Sequence, residues 1–365
     1  MAFRAEVIDP VLSVATRSGR VESWHRGALA ICHGGGERVE VAFALGDVER
    51  PVYARSATKP LQALPFFELG LHERLGLDAA EIALMVASHD GTPLHVEVAG
   101  RLLARGGLGE SALRCGPHAP FDPATRRALL ATNSSPTRLH NNCSGKHAGF
   151  LLLAQALGDD LARYLEPDSR CQRAVHDAVA AMTAPAGAGA GATAPELPTG
   201  LDGCGAPTVW LPLLALARGF CRLANPTGLA DVRSRACRTI LDAVREQPVC
   251  LAGERRFCTA LVRAFGGGTR IFAKNGAEGV YVVGLGPDPA RPRFPEGLGI
   301  AVKIADGSER GYWPVIVETL RRLGAFGGDT VPEALLPWWR VPITNTQKIA
   351  VGEVHSVFEW PAAMA

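Results

Sequence analysis

Residues 38–45, RVEVAFAL, are a short β-like run whose side chains are apolar except at Arg38 and Glu40. The glycines at 34–36 predict a turn before it, so a sheet is expected to begin within the first hundred residues. From Ser56 the pattern changes. SATKPLQALPFFELGL carries apolar positions at helical spacing, with Pro60 and Pro65 near a helix start or a kink, and predicts a helix beginning around the serine. Helical periodicity also predicts helices at 76–87, 94–105, 146–165, 170–183, 209–222 and 229–246. Strand-like runs return in TRIFAKNG and GVYVVGLG, across 269–286, and in GLGIAVKIADGS, across 297–308.

The chain is thus strand-rich at 1–75 and 255–365 and helix-rich at 76–254. That order predicts one α+β domain over 1–365, with a mixed sheet assembled from both ends and a helical subdomain capping it. Residues 184–200, APAGAGAGATAPELPTG, lack bulky side chains that would offset the entropy of ordering, and are expected to form a mobile surface loop.

Of the 365 residues 47% are hydrophobic, enough for a substantial core. Thirty-eight Lys plus Arg against 36 Asp plus Glu give a net charge of +2, too weak a field to point to nucleic acid or an anionic membrane, so a small-molecule partner is expected. No apolar run suits a signal-peptide core or a membrane span, which predicts a cytoplasmic protein. The nine cysteines are odd in number and without tight spacing, which argues against a disulfide framework and leaves metal ligation open.

The first candidate for chemistry is Arg55-Ser56-Ala57-Thr58-Lys59-Pro60. A Ser and a Lys three residues apart share a helix face, and a lysine whose pKa is lowered by burial or a second cation can take the proton of a serine nucleophile. The helix N-terminus would add N–H groups for a developing oxyanion. A capping serine beside a solvated lysine is the plainer alternative. Ser88, in Ala87-Ser88-His89-Asp90-Gly91, follows the apolar run IALMVA and supplies a second hydroxyl, while Lys274 ends an apolar strand just before Asn275-Gly276. A different constellation is Asn142-Cys143-Ser144-Gly145-Lys146-His147 with Asp202-Gly203-Cys204-Gly205, where two thiols sit in small polar loops. Two thiolates and a nitrogen donor suit tetrahedral zinc with one open position, and histidine is the default nitrogen ligand.

With these residues in view, the chain resembles the Rhizobium-type, or class 3, L-asparaginases. The resemblance is carried by ordered blocks along most of the chain, among them ESWHRG (22–27), RSATKPLQALP (55–65), SHDGTPLHV (88–96), NNCSGKHAG (141–149), LDGCGAPT (201–208) and FAKNGAEGVY (272–281). It implies a fold similar to serine β-lactamases and glutaminases, a homodimer, and hydrolysis of the L-asparagine side-chain amide. It implies two Ser-Lys pairs, Ser56 with Lys59 and Ser88 with Lys274, and one zinc per chain at Cys143, Lys146 and Cys204. Arg55, Asn142, His147 and Asp202 are then expected to orient these groups or to border the substrate. Ser56 is the expected nucleophile, with Ser88 remaining open. Rival readings are a glutaminase, a penicillin-recognising serine hydrolase, and a zinc or thiol sensor without catalysis.

Overall fold

The computed structural model describes residues 9–185, 196–266, 268–291 and 293–361. The N-terminal strands are β1 (Val11–Arg17), β2 (Arg20–Gly35) and β3 (Arg38–Leu45). Three short strands, β4 (Pro51–Tyr53), β5 (Thr199–Leu201) and β6 (Pro207–Pro212), form a separate sheet in the order β4-β6-β5. From the C-terminal part come β7 (Ile271–Asn275), β8 (Val280–Leu285), β9 (Leu298–Ile304), β10 (Val341–Thr344) and β11 (Ala350–Ser356). The main sheet has eight strands in the order β10-β11-β1-β2-β9-β8-β7, with β3 also on β2. Strands from both ends therefore share one sheet, and the class is α+β.

Every described strand pair is antiparallel, where a mixed sheet was expected. The reason is connectivity: β1-β2-β3 and β7-β8-β9 are hairpin meanders, and among the described residues no helix returns the chain in parallel to a neighbouring strand. The first half of β2 pairs with β1, and its second half, Gly27–His33, with β9. Helix Leu213–Ala224 packs on β2, β8 and β9, and helices Lys59–Glu68, Ser144–Leu157, Arg170–Thr183 and Asp231–Glu246 build the layer around it.

Several boundaries differ from the periodicity. The stretch expected as helix from residue 209 begins as β6, because Pro207–Pro212 pairs with both β4 and β5 before the helix starts at Leu213. The helix expected over 146–165 stops at Leu157, where Gly158 caps it in the left-handed conformation at φ 70°. The one expected over 76–87 runs Ala79–Met85, opened by a capping box in which Asp78 and Glu81 bond each other's backbone N–H. Of the expected loop at 184–200, residues 186–195 lie outside the described residues, and its last two, Thr199 and Gly200, begin β5. No helix among the described residues is long and apolar enough to cross a membrane.

Candidate active site

The segment carrying Ser56 enters the site through a constrained residue. Arg55 has φ 52°, a left-handed conformation that costs a non-glycine residue about 1–3 kcal/mol and persists only where its surroundings enforce it. Here its N–H donates to Thr208 Oγ1 at 3.1 Å and its guanidinium to Asp202 Oδ1 at 2.7 Å. Residues Arg55–Thr58 form a 3-10 turn and the α-helix begins only at Lys59, not at the serine, with Pro60 in the first turn where its missing N–H costs nothing. Residues three apart eclipse in such a turn, so Ser56 and Lys59 still share a side. The Ser56 hydroxyl is half-buried and makes no hydrogen bond among the described residues.

Lys59 is 1% exposed, which rules out the solvated-lysine alternative. Its Nζ donates to Ser88 Oγ at 3.0 Å, to Cys143 Sγ at 3.2 Å and to the Ala87 carbonyl. The observed lysine partner of Ser88 is therefore Lys59, where Lys274 was expected. Lys274 instead donates to the carbonyl of Asn275 at 2.8 Å and to its Oδ1 at 2.9 Å. The reason is the path of the chain: the helix Ala79–Met85 ends one turn before Ser88 and lays that segment on Lys59, while β7 gives Lys274 an amide as its immediate neighbour. Burial, then the charge of Lys59, pushes the Lys274 amine down to about 7.

The thiols converge beside this group. The Asn141 side chain accepts from the Cys143 N–H at 2.9 Å and fixes the start of helix Ser144–Leu157. Gly145 lets that start approach the serine segment, since a Cβ there would sit 2.2 Å from the Leu84 carbonyl oxygen. The Asn142 carbonyl accepts from the His89 N–H at 3.3 Å, tying the Ser88 and Cys143 segments together. From the turn at Asp202–Gly205, Cys204 receives Lys146 Nζ at 3.1 Å. Hydrogen bonding to Cys143 and the charge of Lys146 bring the Cys204 thiol down to about 4, while Cys143 is pushed up to about 12 by the same bond and by burial. Burial opposes the charge of Lys146, yet the Cys204 and Cys143 sulfurs hold its ammonium above the ordinary value. His147 is directed elsewhere: Nδ1 bonds the Tyr164 hydroxyl at 2.7 Å, and burial followed by the charge of Lys146 pushes the ring down to about 3.

Cys204, bonded by Lys146 and hydrogen-bonded with Cys143, gathers two thiols and an amine into a donor set that a thiophilic divalent cation fits, with Lys146 rather than His147 as the nitrogen. Among the described residues no three His, Cys, Asp or Glu side chains gather into a metal cage, so any site here depends on the lysine.

Sequence reasoning passed over several neighbours. His89 is fully buried, bonds Ser144 Oγ at 2.9 Å through Nε2, and stacks on His95 at 4.9 Å. Its neighbour Asp90 faces Arg256, and Asn275 anchors Lys274. The SHDG cluster and the Lys-Asn dipeptide were visible signals for three of these, whereas nothing in the sequence singles out Arg256. A cleft of about 540 Å³, bordered by Arg50, Tyr53, Trp210 and Lys303, reaches the site at Arg55.

Among solved structures, the probable glutaminase from Bacillus subtilis complexed with 6-diazo-5-oxo-L-norleucine is 16% identical over 78% of this chain and 78% of that one, with TM-score 0.32. A beta-lactamase from Sphaerobacter thermophilus DSM 20745 is 17% identical over 83% of this chain and 93% of that one, with TM-score 0.40. Overlaps this loose carry neither fold nor activity from those proteins to this one. No curated protein matches the chain. The profile of the family described as L-asparaginase II matches residues 14–356, a span holding the Ser56, Lys59, Ser88 and Lys274 cluster and the thiol cluster alike, and the chain belongs to that family of amidohydrolases.

Proposed function

We propose that the protein hydrolyses the side-chain amide of L-asparagine to L-aspartate and ammonia, with Ser56 as nucleophile and Lys59, Ser88 and Lys274 as one proton-handling unit. The observation that carries this reading is the Lys59–Ser88 bond at 3.0 Å with a second buried amine, Lys274, held near neutrality beside it. Two neighbouring amines are costly to protonate together, so near neutral pH one of them is available as a base. Ser56 Oγ attacks the amide carbon and its proton passes to the free amine; as the C–N bond breaks, Ser88 gives its proton to the leaving nitrogen and takes one back from Lys59, so that ammonia departs. Water then adds to the acyl-serine and releases aspartate. Ser56 suits the first step because its hydroxyl is partly exposed and takes no hydrogen bond among the described residues, whereas Ser88 is 3% exposed.

Ammonia release from L-asparagine and L-glutamine, by wild type and by Ser56→Ala, tests the proposal. Preferred turnover of asparagine, lost in a folded Ser56→Ala, is the expected result. The Lys59–Ser88 bond favours a second reading with Ser88 as nucleophile. Mass-spectrometric mapping of the acylated serine after rapid quenching separates the two.

We further propose that Cys143, Lys146 and Cys204 hold one zinc ion per chain, which when bound would polarise a ligand at its open position and tie the two loops together. Lys146 can bind only after losing its proton and both cysteines only as thiolates, so acidification should release the metal. Metal analysis across pH reads this directly. The proposed homodimer is tested by light scattering on the eluting protein.

A further inference from the structure

An amino-acid substrate presents an α-ammonium and an α-carboxylate beside its amide, and both need partners of opposite charge. Two residues after Ser88, at most about 7 Å along the chain, stands Asp90, 8% exposed, whose Oδ1 is buried without a hydrogen-bond partner among the described residues. A charged acceptor left in that condition costs more than a neutral one, which makes an unpartnered native carboxylate oxygen a sign of a missing ligand. The nearby cation is Arg256, with Nη1 3.6 Å from Asp90 Oδ1, an ion pair too long for a hydrogen bond.

The pair is held in place on both sides. Ser88 and Asp90 donate their N–H groups to the carbonyls of Leu251 and Ala252, at 3.1 and 2.7 Å, and the Asp90 carbonyl accepts from Asp122 N–H at 3.1 Å. Gly253 has φ 147°, and a Cβ there would lie 2.2 Å from Asp90 Oδ2, so only glycine lets the loop that carries Arg256 close on the carboxylate. The Arg256 side chain is 28% exposed, with its guanidinium over the Phe121 ring at 5.8 Å. On its inner side it adds to the field that depresses Lys274, and Cys258, two residues on, contacts Asn275 Oδ1, the acceptor of Lys274.

We infer that Asp90 and Arg256 are the residues that select an α-amino acid as substrate, Asp90 receiving the α-ammonium and Arg256 the α-carboxylate. The inference rests on the amidohydrolase reading above. A zwitterion inserted between the two groups replaces one overlong pair with two close ones, and it places the amide, two bonds from the α-carbon, toward the serines.

Thermal stabilisation of the full chain by L-aspartate and by succinate, the same diacid without the amino group, tests the pair without turnover. L-Aspartate is expected to raise Tm by about 2–5 °C more than succinate. Asp90→Asn should erase that difference, and Arg256→Gln should weaken both ligands. In kinetics, Asp90→Asn should raise KM for L-asparagine roughly 10- to 100-fold with kcat nearly kept, and lower the preference for asparagine over succinamate by the same factor. A residue that merely shores up the loop would leave that preference intact. Equal stabilisation of wild type by aspartate and succinate overturns the inference, as does an unchanged preference in folded Asp90→Asn. If that variant does not fold, the wild-type ligand comparison decides. Failure of the wild type to release ammonia from any amide would instead sink the amidohydrolase reading, and the ligand comparison would still judge the pair.

Discussion

Two buried lysines less than a domain's width apart meet opposite fates. Lys274, on β7, is 1% exposed and is pushed down to about 7 by burial and by the neighbouring Lys59. Lys146, on helix Ser144–Leu157, is 3% exposed and is held charged by the sulfurs of Cys204 and Cys143. Burial acts on both in the same direction, so the sign of the nearest charges decides which amine is a proton acceptor and which is half of a thiolate–ammonium pair. Lys59 touches both regions, through Ser88 Oγ and Cys143 Sγ, and couples them.

The largest effect that would break this contrast is loss of the proposed nucleophile. Ser56→Ala should cut ammonia release by about 10³-fold or more with unchanged Tm, and near-normal turnover would assign the chemistry elsewhere. Next comes Lys274→Met, which should lower turnover by about 10²-fold or more and yet stabilise the fold. The sign follows from proton binding: between about pH 7, where folded Lys274 titrates, and its ordinary value of 10.5, the unfolded chain binds more protons, so wild-type stability rises with pH across that window. Below about pH 7 the full cost of the buried ammonium remains. Urea denaturation should therefore show Lys274→Met more stable than wild type by a few kcal/mol (about 2–4) at pH 6.5, by less at pH 9.5. A constant difference across pH would remove Lys274 from the comparison. If both lysines form one unit, Lys59→Met and Lys274→Met combined should cost far less than the product of the single losses.

Smaller effects sharpen the thiol side. Cys204→Ser should abolish zinc binding and raise KM by about tenfold while lowering kcat less, read by metal analysis alongside kinetics. A lost kcat at constant KM would instead give the metal the water-activating role and displace Ser56. Asp202→Asn should cost the least, roughly 1 kcal/mol of stability and a few-fold in activity, because it removes the carboxylate that helps hold Arg55 at positive φ.

The elements legible in the sequence are those whose neighbours do not contradict their pattern. The β-like run at 38–45 is strand Arg38–Leu45, and the period at 170–183 is helix Arg170–Thr183. Pro207–Pro212 misled because its apolar run serves the middle strand of the small sheet, one of whose partners, β4, lies about 160 residues away where no local pattern reports it. The candidate residues were visible as motifs, and the resemblance brought them into one site. Which amine meets which hydroxyl was not visible, since lysine stems are long and their reach is set by the path of the chain around them. Arg256 stayed hidden because a surface arginine and one paired with a buried carboxylate look alike in sequence.

The order of strands in the main sheet has a consequence for how the protein is made. Lys274 lies on the edge strand β7, which reaches the N-terminal strands only through β8 and β9, and β1 is flanked by β11. A chain emerging from the ribosome thus presents Ser56, Lys59 and both thiols long before the surface that completes them exists. Helix Leu213–Ala224 likewise waits, with one apolar face uncovered, for β8 and β9. Long-range pairing of this kind folds slowly and late, so activity should appear on synthesis only after the final strands have left the exit tunnel.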